Sequence, residues 1–490
     1  MTRRCDLAVL GGGTAGLVAA TIAGRLGARV VLAERAHTGG DCLWTGCVPS
    51  KSLLAAAALA HRMRTADAVG LTPCEPAVDF AAVMAHVHGA RERIAPHDSP
   101  ERLRAAGVEV HESVGRFLDP GVVEVGGRPL RYRAALIATG SRPMLPPIPG
   151  LGEARPLTSE TVWDLTELPT RLVVLGGGSI GCELAQAFGR LGSDVTVLEA
   201  GPRLVGREEP EASELVRERL EREGVRVVLD ARVVGARTRS VDVEHAGGRE
   251  AVDHDRLLVA AGRAPDTDGL GLARAGVETD AAGAVVVDGR LRTSAHDVYA
   301  AGDVTGALPF THVAAYHARV AVVNALLRTR RRVSYRAVPW VTFTDPEVAR
   351  VGLSEAQARE RLGDAVVVAR HDYAESDRAI TAGEAYGFAK LVGDRRGRLL
   401  GATVAAPGGG EAIAALAARI EAGDTIADVS NAVHAYPTFA EGPAQAADGH
   451  LLERLARARP LSAAALAALR TVDRLPRPRR RMPRPTGGTL

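Results

Sequence analysis

Aromatic residues make up only 3% of this 490-residue chain, cysteine occurs five times, and lysine survives at two positions, Lys51 and Lys390, among 61 basic residues. No uninterrupted run of about 18 apolar residues occurs, so no membrane span is expected. Five cysteines are too few to staple so long a chain, which turns suspicion for any close pair toward redox or metal chemistry. What is plentiful is apolar residue, 46%, beside 24% charge, the composition of a well-cored chain of about three domains. The net charge of +3 is unevenly placed: residues 461–490 hold seven Arg against the single acid Asp473, so that tail is +6 and the rest −3. Charge gathered on a Pro-interrupted terminus is not the basic stripe over a packed surface that nucleic acid requires, and such a tail is expected to be unordered beyond a short helix over Leu461–Leu469. Arg3 and Arg4 ahead of an apolar stretch imitate a secretory signal, but Asp6 and the glycines that follow fit a buried strand entering a phosphate loop. A cytoplasmic protein is expected.

The most informative feature is a repeat of spacing. A strand, Asp6-Leu-Ala-Val-Leu10, runs into Gly11, Gly13 and Gly16, then a helical stretch, then a second strand ending at Glu34. The same order returns 165 positions later, from Arg171-Leu-Val-Val-Leu175 through Gly176, Gly178 and Gly181 to Glu199. Such glycines serve a tight turn, close approach of backbone to a pyrophosphate and close helix packing, and the terminal acid can accept from a ribose 2′-hydroxyl. Two units imply two dinucleotides. A carboxylate at Glu199 would repel the 2′-phosphate of NADP, so NADH is favoured over NADPH.

Directly after the first unit comes Gly39-Gly40-Asp41-Cys42-Leu43-Trp44-Thr45-Gly46-Cys47-Val48-Pro49-Ser50-Lys51. Neither ligand count nor spacing suits a structural zinc, and no metal site is expected. Two buried thiols would be an ordinary reading; nearness to the first dinucleotide and to a helix start favours a redox pair. Lys51, kept where Arg has taken almost every basic site, suggests that a compact ammonium is needed there.

At these residues the chain resembles the class I pyridine nucleotide-disulfide oxidoreductases, the family of dihydrolipoamide dehydrogenase, glutathione reductase and mercuric reductase. Ala138-Thr139-Gly140, Gly262-Arg263-Ala264-Pro265, Val298-Tyr299-Ala300-Ala301-Gly302-Asp303, Phe343-Thr344-Asp345-Pro346-Glu347 and Gly387-Phe388-Ala389-Lys390-Leu391 follow in family order. The resemblance implies an α/β fold: two Rossmann-like domains, for FAD and NAD(P), with a C-terminal α+β dimerisation domain. On that reading residues 1–145 and 263–335 form a discontinuous FAD domain, 146–262 an inserted NAD(P) domain, 336–460 the dimerisation domain of a homodimer, and 461–490 the tail. It also implies a redox-active Cys42–Cys47 disulfide, Cys47 facing the flavin and Cys42 exposed to substrate, with Lys51 beside the flavin and Glu183 near the nicotinamide. Gly140, Asp303 and Gly262 would join the cofactor-binding set.

One departure matters. In His434-Ala435-Tyr436-Pro437-Thr438-Phe439-Ala440-Glu441, Tyr436 stands where disulfide reductases usually carry the His that pairs with the Glu at the position of Glu441. Phenol titrates near 10 and imidazole near 6.5, so a neutral-pH thiol base is missing unless His434, two positions away, substitutes. Tyr at this place is similar to mercuric reductase, although neither a paired-Cys metal-binding domain nor a vicinal C-terminal Cys pair is seen. Cys5 and Cys182 are expected in packing, and Cys74 offers no relay. The expected acceptor is a small-molecule disulfide or thiol-bound species, with thiol-bound metal or quinone reduction as alternatives.

Overall fold

The computed structural model describes residues 3–472. Alternation is absent from the strands of the first repeat because both faces are covered: Leu7, Ala8, Val9 and Leu10 are all buried, as a parallel sheet requires. Strand Arg3–Leu10 lies between Val30–Glu34 and Arg128–Ile137, with Leu7 opposite Val30 and Leu10 opposite Ile137. Val108–Glu112 extends the sheet on one side. On the other, Val298–Ala300 pairs in parallel with Arg128–Ile137, which also carries an antiparallel flap, Val122–Val125 and Arg116–Asp119. Helices Thr14–Arg25 and Thr311–Leu327 pack side by side over one face through Ala19, Ala20, Ala23, Ala318 and Ala321. Alanines at such a contact let helix axes come close, so the scarcity of aromatics is met by small-residue packing.

The second repeat builds a second parallel sheet in the order Arg226–Val228, Asp194–Leu198, Arg171–Leu175, Arg256–Val259, Leu157–Thr158, beside a three-stranded antiparallel sheet. An antiparallel pair, Ser141–Pro143 with Arg263–Pro265, ties the two crossings between the parallel sheets together. The third unit is an antiparallel sheet of five strands, Pro339–Thr342, Glu347–Gly352, Leu399–Ala406, Phe388–Asp394 and Val366–Asp372. It is covered by helices Gly409–Ala422 and Gly442–Arg457, followed by helix Arg459–Val472. The remaining Arg/Pro tail lies outside the described residues.

One segment qualifies the reading of hydropathy. Gly40–Arg64 has the length and mean hydropathy, 1.2, of a membrane-crossing helix. Its alanines raise that mean, yet the helix is broken at Thr45-Gly46, and Leu53 and Ala57 sit in the core beside Phe80, Met84 and Phe188.

The second lysine has a structural explanation. Lys390 is 3% exposed and its ammonium meets Glu209 at 3.4 Å, Glu211 at 2.5 Å and Glu355 at 3.1 Å, joining the helix Pro210–Arg222 to the third unit. Burial opposes the charge, but the carboxylates outweigh it and raise the lysine's pKa. Lys390→Met would leave buried Glu209 without its cation, although Glu211 and Glu355 keep Arg370 and Arg359, at a cost of about 3 kcal/mol. The denaturant midpoint should fall accordingly; an unchanged midpoint would show that the cluster contributes nothing.

Candidate functional site

Ligands of parallel sheets bind beyond the carboxyl ends of the strands. A cavity of about 1130 Å³ opens there in the first sheet, lined by Gly11, Gly13 and Glu34 from the first repeat, by Gly140, and by Asp303. Gly11 has φ +104° and a Cβ on it would lie 2.4 Å from the Ala138 carbonyl oxygen; at Gly176 the values are +111° and 2.6 Å, from Ala260. The two turns are therefore the same turn, open only to glycine. Gly16 and Gly181 let their helices approach the turns, while Gly13 and Gly178 are N-caps without a side-chain cap. First-turn N–H groups left in this way suit a pyrophosphate. Each terminal acid is fixed by backbone: Glu34 accepts from Gly12 at 2.6 Å and Ala36 at 2.8 Å, Glu199 from Gly177 at 2.5 Å and Gly201 at 2.7 Å.

Asp303 is held by a chain of contacts. Ser141 Oγ donates to its Oδ2 at 2.8 Å, and Arg263 Nε donates to Ser141 Oγ at 2.8 Å while its Nη2 pairs with Asp41 at 3.2 Å. Burial raises the Asp303 carboxyl above its ordinary range. A hydroxyl-rich ligand would satisfy it. Glycine turn, uncapped helix, fixed ribose acceptor and half-buried Asp together fit FAD. Gly262, with φ +130°, precedes this Arg263 but belongs with Gly176, Gly178, Gly181 and Glu199 outside the cavity lining.

Both sulfurs line the same cavity. Cys42 lies in the short helix Gly40–Trp44 and Cys47 opens the helix Cys47–Arg64. They are thiols in this structure and hydrogen-bond one another. Cys42 is half-buried, and Cys47 is exposed to the cavity that it shares with Gly11 and Asp303. Thr311 Oγ1 lies 3.6 Å from Cys47 Sγ. The hydrogen bond from Cys42, then Thr311 and the Lys51 charge, outweigh burial and bring Cys47 down to about 6, whereas its bond to Cys47 and burial push Cys42 up. One proton is thus shared with Cys42 as its keeper. Since the folded-state pKa is lowered, the thiolate persists above about 6 and is lost as pH falls through that value. Alkylation of Cys47 by iodoacetamide in the reduced protein should rise through pH about 6 and then level; a rise only near 8.5, as for a free thiol, would contradict this.

Lys51 Nζ pairs with Glu183 Oε2 at 2.8 Å, and Glu183 is 5% exposed. Phe343 contributes twice: its N–H donates to Glu183 Oε1 at 2.9 Å, and its ring lies 4.2 Å below the Lys51 ammonium. Tyr436 and Glu441 do not line this chain's cavity. Tyr436 is 67% exposed and its hydroxyl donates to Asp377 at 2.7 Å, a bond to a charged acceptor that raises the phenol further. His434 shares 3.0 Å with the Val429 carbonyl. Cys182 is buried, its thiol bonded to the Gly177 carbonyl at 3.2 Å, and Cys5 is buried in the first sheet. Thr311 and the ring of Phe343 were not foreseen as site residues; the only signal for Thr311 was a hydroxyl at the start of an apolar helical run.

Residues 5–318 match the family model for pyridine nucleotide-disulphide oxidoreductase, and residues 338–447 match the dimerisation domain of the same family. The chain is 37% identical over 469 residues to a dihydrolipoyl dehydrogenase of Thermus scotoductus, covering 92% of this chain and 99% of that one. It is 39% identical over 447 residues to a mercuric reductase of Streptomyces lividans, covering 89% and 94%. Among solved structures it is similar to the HOCl-induced flavoprotein disulfide reductase RclA of Escherichia coli, in a Cu(II) complex, with TM-score 0.80 at 28% identity over 91% of this chain and 99% of that one. LpdA of Mycobacterium tuberculosis gives 0.81 at 28% over the same shares. The expected architecture, two dinucleotide-binding Rossmann-like domains and an α+β dimerisation domain, is the one present. This chain belongs to the pyridine nucleotide-disulphide oxidoreductases, as a homodimeric enzyme that uses FAD and a pyridine nucleotide.

Proposed function

We propose that Cys42 and Cys47 form the redox pair of this enzyme and pass electrons from NADH, preferred over NADPH, to a thiol-linked acceptor. The observation that carries the reading is the placing of Cys47 between Cys42, Thr311 and the charge of Lys51, in the cavity shared with Gly11 and Asp303. FAD, when bound, supplies the two-electron exchange between nicotinamide and disulfide. The protein's part is local. Glu183 holds Lys51, whose positive charge would support the flavin, and Asp303 would accept hydroxyls of the cofactor. With a disulfide acceptor, Cys42 attacks one acceptor sulfur and its proton passes to the departing sulfur, which leaves as the first thiol. Cys47 then attacks Cys42, releasing the second thiol and restoring the Cys42–Cys47 bond. The proposed organisation is 1–145 with 263–335 for FAD, 146–262 for the nucleotide, 336–460 for the dimer contact, in the cytoplasm.

Tyr436 and Glu441 of the partner subunit would face Cys42. A phenol already bonded to Asp377 is a poor base for a thiol that keeps its proton. This favours a second reading, metal or quinone reduction; the mercuric reductase relatives give precedent for the metal, and RclA is known as a Cu(II) complex. An NADH-oxidation screen over disulfides, Hg(II), Cu(II) and quinones, run beside NADPH, separates the two. Tyr436→His should raise disulfide turnover by about 10²-fold if a missing base limits it; no rise would place the limit elsewhere.

A further inference from the structure

The helix Ser179–Leu191 turns Ser179, Glu183, Gln186 and Arg190 to one side, and all four reach the same short segment, 342–345. Ser179 and Thr342 share hydroxyls at 2.7 Å. Gln186 and Asp345 exchange two bonds, Asp345 N to Oε1 at 2.7 Å and Nε2 to the Asp345 carbonyl at 3.0 Å. Arg190 Nη2 donates to Asp345 Oδ2 at 2.8 Å, and Tyr386 hydroxyl to Oδ1 at 3.1 Å. Between these anchors lies Phe343, whose N–H holds Glu183 and whose ring underlies Lys51. Glu183 therefore has one oxygen on the flavin-side lysine and the other on a segment of the dimerisation domain.

Resting on the role proposed above for Lys51 and Glu183, we infer that the Arg190–Asp345 clamp, acting through Phe343, is what positions that pair for electron delivery from the nicotinamide. Asp345 and Arg190 are positioning residues; neither lines the cavity. The clamp is well placed for this because Arg190 is almost wholly buried, so its bonds to Asp345 and Glu223 are not exchanged for water. Burial works against the Asp345 carboxylate, yet the Arg190 charge and hydrogen bond keep its pKa lowered.

The chain's two lysines make a readout independent of turnover. Lys51 lines the cavity and is held by Glu183, while the Lys390 side chain is 3% exposed, so acylation of the FAD-loaded homodimer by an amine reagent, followed by mass spectrometry, reports release of Lys51 against a buried internal reference. In Asp345→Asn and, separately, Phe343→Leu, Lys51 acylation should speed several-fold while Lys390 is unchanged. Rapid-mixing reduction of the flavin by NADH should slow by roughly tenfold, because small misplacement of reacting groups costs that much or more, and reduction by dithionite should not change. Phe343→Leu keeps the backbone bond to Glu183 and alters a ring that is 36% exposed and outside the core, so it serves if Asp345→Asn fails to fold. Wild-type acylation and wild-type NADH reduction in both variants would overturn the clamp, leaving the pair's role intact if Glu183→Gln still slows reduction. Wild-type reduction in Glu183→Gln as well would overturn the clamp together with the reading beneath it.

Discussion

Cys42→Ser is expected to cut turnover of disulfide and thiol-bound metal acceptors by about 10³-fold or more, while NADH still reduces the flavin at close to its original rate. The reason lies in the division of labour between the sulfurs. Cys47 keeps the negative charge because Cys42, Thr311 and Lys51 all stabilise it, and none of the last two is lost in the variant. What is lost is the atom that bonds to the acceptor. Cys47→Ser should behave differently: the exchange fails one step earlier, and the pH-dependent thiolate disappears. Quinone reduction that survives both substitutions would assign quinones a route that bypasses the sulfurs. Disulfide turnover that survives Cys42→Ser would refute the assignment of the pair.

The second large effect is expected at the two turns. Gly11→Ala forces a side chain into φ +104° and within 2.4 Å of a carbonyl oxygen. Strain of about 1–3 kcal/mol corresponds to FAD affinity weakened by roughly tenfold to a hundredfold, so the protein should purify pale and regain colour only at high added FAD. Gly176→Ala meets the same obstruction, at φ +111° and 2.6 Å, on the other sheet. It should stay yellow, be reduced by dithionite, and lose reduction by NADH. The contrast assigns one dinucleotide to each sheet. Equal loss of flavin in both variants would show instead that the turns act on folding.

The part of this structure most legible in the sequence was the part built from backbone. A displacement of 165 residues at every element of two units leaves little freedom, because strand, glycine turn and helix repeat only where the chain repeats its geometry. Glu34 and Glu199 turn out to make the same pair of bonds to their own loops. The nearness of Lys51 and Glu183, 132 residues apart, was reachable only through family likeness. Contacts made by tertiary closure were not legible. Thr311 meets Cys47 across 264 residues, and the Phe343 ring beneath Lys51 comes from just after strand Pro339–Thr342 of the third unit. Nothing periodic marks such partners. Lys390, read only as a rare residue, acquired its meaning from three carboxylates that no local pattern brings together.

The most direct measurement is an anaerobic titration of the FAD-loaded homodimer with dithionite, followed by absorbance. The account predicts uptake of two electron pairs per flavin, with a long-wavelength band growing at the first pair and vanishing in Cys47→Ser. Uptake of a single pair, bleaching the flavin with no such band, would contradict it.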